Sequence, residues 1–217
     1  MYRCGASLSL LLFFMIYLKE VQDLVEIFSH FPGIGPKAAQ RFVFYLLRQP
    51  AKNRTEFIER LKALENIYSC SICHNFSNHK ICPICQDSQR DHSIVLIVAR
   101  PQDLIAIEKM GHYKGLYHVL ERELEPIEQA NFAKIITNNL LTRLKKNKEI
   151  KELIFGFDLN IKGEGMALYI SNLIKRDSEL KKRLKLSKMA RGLPLGAEIE
   201  YADEITLGDA LKNRKNI

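Results

Sequence analysis

Apolar side chains return every three or four residues at Val21, Leu24, Val25, Ile27 and Phe28, which predicts an amphipathic helix over residues 19–31. The segment FPGIGPKAAQR follows, where Gly33 and Gly35 between two prolines mark a tight turn. A second helix carrying Phe42, Val43, Leu46 and Leu47 then ends before Pro50, and a third is expected over residues 53–67. Periodicity vanishes from Cys70 to Cys85. After Arg90 the β-branched run SIVLIV, residues 93–98, reads as a strand buried on both faces. A helix (102–109), a strand (115–120), a helix (131–146) and a strand (152–157) then alternate, which calls for α/β layering on a mainly parallel sheet. The next helix starts at GEGMALYISNLIKR and is expected to run into the basic stretch at 181–188. The remainder reads as a turn, a short strand and a helix near Gly208. The pattern therefore describes an α+β multidomain chain. Its segments are an N-terminal extension (1–17), a helical unit (18–68), a cysteine loop (69–90), an α/β domain (91–190) and a C-terminal strand-helix segment (191–217).

Residues 8–18, LSLLLFFMIYL, are apolar and follow Arg3, as in a signal sequence. The run is short for a membrane span, and no small-residue cleavage site follows it. It admits three readings: a start displaced upstream of Met15, a hydrophobic turn packed on a partner subunit, or an export signal.

With 47% hydrophobic and 27% charged residues among 217, the composition is that of a folded globular protein and excludes disordered or collagen-like classes. The net charge of +8 is unevenly spread. Thirteen Lys and Arg face six acids between Leu141 and Ala190, and a second excess spans Lys37 to Lys62. Such patches suit a polyanion, since neutralised phosphates release counterions, although solvated helix faces are also built this way.

Four of the five cysteines, Cys70, Cys73, Cys82 and Cys85, form two CxxC pairs eight residues apart. Paired CxxC turns can aim four thiolates at one tetrahedral Zn²⁺, leaving no open position, so one structural zinc per chain in a reducing compartment is expected. Disulfides or an iron–sulfur cluster would use the same residues. In the glycine turn, Gly33 and Gly35 can present backbone N–H groups beside a helix N-terminus. Lys37 and Arg41, four residues apart, then share a helix face, the arrangement of a helix-hairpin-helix that grips DNA phosphates. Asp158, Gly163 and Glu164 follow a strand, as in an Mg²⁺-dependent phosphoryl-transfer site. Such a site wants further carboxylates, but Ala99-Arg100 and Asn160 stand where they would be placed, so a vestigial turn is expected. No nucleophile with a base partner is apparent, and His118, on a strand, is expected in the core or at the surface.

The order of these pieces, with FPGIGPKAAQRF, CSIC, CPICQDSQRD, GLYHVL and ARGLPLG before EYADEITL, resembles the bacterial recombination mediator family RecR over about residues 19–214. The resemblance implies a DNA-binding protein rather than an enzyme, with a central Toprim domain and a C-terminal oligomerisation segment. It also implies ring-like tetramers or dimers that act in the cytoplasm, at the nucleoid, with the partners RecO and RecF. There they bind gapped, single- and double-stranded DNA and load RecA at gapped or single-stranded DNA. By the same resemblance Lys37 and Arg41 are DNA contacts and the four cysteines hold zinc. Ala99-Arg100 and Lys162 replace acids usual in the family, and Glu121-Arg122 replace two glycines. A divergent Toprim enzyme using Asp158 and Glu164, or a purely protein-binding adaptor, are the competing expectations.

Overall fold

The computed structural model describes residues 18–120 and 130–214, with side chains from Thr137 onward in the second stretch. The expectations for residues 1–17 and for Glu121-Arg122 lie outside the described residues. The chain divides after Asn66 into two units.

In the first unit α1 (Lys19–Ser29) packs on α2 (Pro36–Arg48). Val21 and Val25 meet Ala39 and Val43, with Phe28 and Ile34 at the margin. These are the inward positions of the predicted 3.6-residue pattern. The third helix, α3 (Ala51–Ala63), starts directly after Pro50 and gives way to a 3₁₀ turn at Leu64–Asn66, a few residues short of the expected end. It buries none of its residues. Arg54 ties it to the preceding turn by donating to the Gln49 carbonyl at 2.5 Å. Ile58, Leu61 and Leu64 stay exposed.

The second unit opens with a two-strand ribbon, β1 (Tyr68–Ser69) and β2 (Phe76–Ser77), and a single helical turn, α4 (Pro83–Gln86). The α/β part comprises β3 (Asp91–Val98), α5 (Pro101–Glu108), β4 (Gly115–Val119), α6 (Ala130–Lys146), β5 (Glu152–Gly156), α7 (Ile161–Arg176), α8 (Ser178–Arg183) and β6 (Lys185–Lys188). Its strands lie in the order β4-β3-β5-β6, all parallel. Alternation along β3 sorts the two layers. Val95 and Ile97 join Leu140, Leu144, Ile170 and Ile174 on one face, and Leu96 and Val98 join Leu104 and Tyr117 on the other.

Two expectations need correction. The basic stretch 181–188 is not a continuation of α7: Asp177 accepts from the Glu179 and Leu180 amides, caps α8, and the chain turns into the edge strand β6. The C-terminal segment has no strand among the described residues. It holds a 3₁₀ turn at Ile199–Tyr201 and then α9 (Glu204–Lys212), which Asp203 caps through the Thr206 amide. No helix among the described residues is long and apolar enough to cross a membrane.

Candidate nucleic-acid interface and metal centre

The turn between α1 and α2 has the geometry its glycines suggest. Gly33 adopts φ +78°, where a side chain is strained, and the Ile34 amide closes the turn on the Phe31 carbonyl at 3.0 Å. Gly35 is extended and caps α2, with Pro36 in the first helical position. Nothing lies within 4 Å of where a Cβ would stand on either glycine, so both face open space. The first intrahelical donor is the Ala39 amide, bonded to the Gly35 carbonyl, which leaves the Lys37 and Ala38 amides without an intrahelical acceptor. No acid lies in the first turn, and Lys37 and Arg41 are exposed with no ion-pair partner among the described residues. Backbone donors, the positive helix end and two cations thus converge on one uncovered surface.

The four expected cysteines meet. Their sulfurs lie within 4.8 Å of one another and all four residues are buried. Sulfurs at about 2.3 Å from a tetrahedral zinc stand about 3.8 Å apart, and Cys73 and Cys82 approach to 3.5 Å. Hydrogen bonding among the crowded sulfurs splits them: bonding from Cys73 holds the Cys82 thiol well below the ordinary thiol range, while bonding to neighbouring sulfurs and burial push Cys73 and Cys85 up, so the four together ionise only beside a cation. The knuckle is shaped by the Cys70 amide on the Asn75 carbonyl at 2.8 Å and the His74 amide on the Cys70 carbonyl at 3.0 Å. His74 takes φ +62° to close it. The Cys82 amide donates to the Cys70 sulfur at 3.3 Å. The donor set, its spacing and its burial fit a closed Zn²⁺ site. This module also covers the edge of β4. The Val119 amide donates to the Cys73 carbonyl at 2.8 Å, and Ile84 packs both with the cysteines and with the second face of the sheet.

At the carboxyl end of the inner strand β5 the chain leads to Asp158. Asn160 caps α7 by accepting from the Gly163 amide at 2.9 Å, and Gly163 is required because a Cβ there would strike the Asp158 carbonyl. The acids of this turn are answered by bases of the same chain. Arg100 Nη2 lies 3.5 Å from Asp158 and 3.2 Å from Asp103. Glu164 is held by Arg191 at 2.9 Å and Lys188 at 3.2 Å.

Two residues near the cysteines carried little sequence signal. His118 is 1% exposed; burial first, then the Arg143 cation, hold its pKa well below the ordinary imidazole value, so the ring is neutral near pH 7. Its Nδ1 lies 3.3 Å from Arg143 Nη1, which can only donate, so the ring proton resides on Nε2.

Four family models match in chain order: the RecR helix-hairpin-helix at residues 21–64, the RecR Cys4-zinc finger domain at 67–87, the Toprim domain at 93–189 and the RecR C-terminal region at 192–215. The chain is 39% identical over 204 residues to Recombination protein RecR of Lactobacillus johnsonii, covering 94% of this chain and all of that one. It is 37% identical over 204 residues to that of Bifidobacterium adolescentis (94% and 99%) and 39% over 203 residues to that of Tropheryma whipplei (93% and 100%). The chain belongs to the RecR family.

Within this RecR chain the Toprim turn does not fit the divalent cation that its fold suggests. A hard cation needs several carboxylates free to converge. Here Asp158 and Glu164 are each already paired with bases, and a guanidinium occupies the end of β3 where a third acid would be needed. The zinc finger of this RecR chain, by contrast, brings four buried thiols together with no ion-pairing base on them among the described residues.

Proposed function

We propose that this RecR chain is a non-enzymatic mediator of DNA recombination and repair. It assembles into a ring of two or four copies and acts with RecO and RecF in the cytoplasm, at the nucleoid. Its task there is to promote RecA loading at gapped or single-stranded DNA. The observation that carries this reading is the open hairpin. Gly33 and Gly35 leave the turn open, and Lys37 and Arg41 stand beside it with no ion-pair partner among the described residues. Self-association is supported by the apolar side chains left uncovered in each unit: Ile58, Leu61 and Leu64 in the first, Leu195, Ile199 and Tyr201 in the C-terminal segment of the second. The non-enzymatic reading rests on the ion pairs that occupy Asp158 and Glu164.

The test is a salt titration of binding to gapped duplex DNA by wild type and by Lys37→Ala/Arg41→Ala, in zinc-replete buffer. The variant is expected to bind about 10-fold or more weakly, with a salt slope flatter by about one to two units, because two phosphate contacts are gone. Equal affinity and slope would remove the hairpin from the DNA interface. Incubation of labelled DNA with Mg²⁺ or Mn²⁺ should give no product; product that vanishes in Asp158→Ala would establish a Toprim enzyme instead.

A further inference from the structure

Arg143 reaches from α6 into the interior. Its Nη1 donates to the Tyr117 carbonyl and to His118 Nδ1, while Nε and Nη2 are shut off from solvent with no hydrogen-bond partner. Among the described residues no carboxylate pairs with it. A guanidinium always carries its charge, and burying one without an anion costs several kcal/mol. A phosphate arriving from solvent does not answer the need, because the unpartnered nitrogens are inaccessible.

The anion is next door. Four thiolates around one Zn²⁺ leave a formal charge of about −2 in the interior. Arg143 lines the same open cleft, about 580 Å³, as the knuckle residues Ser71, Ile72 and His74. The strand it holds at Tyr117 and His118 is the one that docks on the knuckle. His118 bonds to the Ile72 carbonyl and stacks edge-on against His74 at 5.2 Å, and the next residue, Val119, bonds to Cys73. We infer that Arg143 is the buried counter-cation of the zinc tetrathiolate, a positioning residue that couples metal binding to the docking of the finger on β4 and α6. The charge that makes a tetrathiolate expensive to bury and the charge that makes Arg143 expensive to bury cancel each other across this junction.

The experiment compares zinc affinity, by competition with a chromophoric chelator at pH 7, in wild type, Arg143→Met and Arg143→Lys. Arg143→Met is expected to weaken zinc binding about 10- to 100-fold, the usual effect of losing an outer-shell partner. Arg143→Lys, which keeps the charge with a different donor geometry, should recover most of that loss. Wild-type affinity in Arg143→Met would overturn the inference. So would Arg143→Lys as impaired as Arg143→Met, since hydrogen-bond geometry would then be the cause. If Arg143→Met does not fold without metal, it is refolded with excess zinc and its rate of zinc loss to the chelator is read, with Arg143→Gln as a second neutral variant. Faster loss from both neutral variants supports the inference, and loss at the wild-type rate overturns it.

Discussion

The two units treat charge in opposite ways. In the α/β unit nearly every functional-looking charge is answered within the chain: Asp158 by Arg100, Glu164 by Arg191 and Lys188, Glu108 by Arg90 at 2.6 Å. In the helical unit Lys37 and Arg41 stand beside an open glycine turn with no ion-pair partner among the described residues. Matched charge fixes a fold, while unmatched charge beside free backbone donors is held for a ligand. Each unit carries its own family motif, the hairpin in one and the Toprim turn in the other; what separates them is which neighbours surround the charges.

The largest effect should come from taking away a matched group. Cys73→Ser is expected to abolish stoichiometric zinc and to destabilise the α/β unit by on the order of 4 kcal/mol or more, because metal binding energy is folding energy in such sites. The damage should spread beyond the finger, since the Cys73 carbonyl and Ile84 cover the β4 edge. Urea unfolding with a parallel zinc assay decides. A variant with wild-type stability and no zinc would mean that the finger is dispensable to the sheet.

The hairpin should respond in the reverse sense. Lys37→Ala/Arg41→Ala is expected to leave the unfolding midpoint within about 0.5 kcal/mol of wild type, as for exposed side chains, while losing DNA affinity. Gly33→Ala should cost about 1 kcal/mol despite the open space around it, because φ +78° strains any Cβ. A double variant that unfolds easily would show that these cations belong to the fold after all.

Much of this division was legible in the sequence, for identifiable reasons. CxxC spacing is local, so the cysteine cluster needed no knowledge of distant contacts, and the glycine turn is likewise set by nearest neighbours. The strand β6 was hidden because LKKRLKLSKM is rich in good helix formers; the signal against a helix was the pair Asp177-Ser178, a cap that restarts the chain. The pairing of Arg100 with Asp158 was not readable, since it joins the ends of two strands that become neighbours only in the sheet. In the sequence Arg143 is one more base in the Lys- and Arg-rich stretch from Leu141 to Ala190. Its burial depends on the finger closing over β4, a long-range event that helical periodicity does not report.

A smaller effect is expected from pH. Hydrogen bonding and the charge of Arg90 hold the Glu108 carboxyl below its ordinary value of 4.5, and Tyr117 donates a second bond to it. A depressed folded-state pKa means stability that is present above the unfolded value and is lost as pH falls through the folded one. Glu108→Gln should therefore be less stable than wild type at pH 7, and the gap should narrow as the pH is lowered below 4.5. A gap independent of pH would assign the effect to packing.

The smallest expected change is also the sharpest test of the ion pairs that occupy the Toprim acids. Arg100 and Asp158 are 45% and 53% exposed, so their ion pair contributes little, and Arg100→Ala should shift stability by about 0.5 kcal/mol or less. The bond from the Arg100 amide to Asp103 at 3.0 Å, which caps α5, survives the substitution. Mn²⁺ titrations followed by electron paramagnetic resonance should find no saturable site near the turn in wild type. None should appear in Arg100→Ala either, because Arg191 and Lys188 still hold Glu164 and a lone Asp158 is no cage for a divalent cation. Saturable binding in Arg100→Ala that disappears in Arg100→Ala/Asp158→Asn would break this picture. The exclusion of metal would then reside in one guanidinium at the end of β3, one substitution away from a cation-binding Toprim centre, and not in a network shared by both acids.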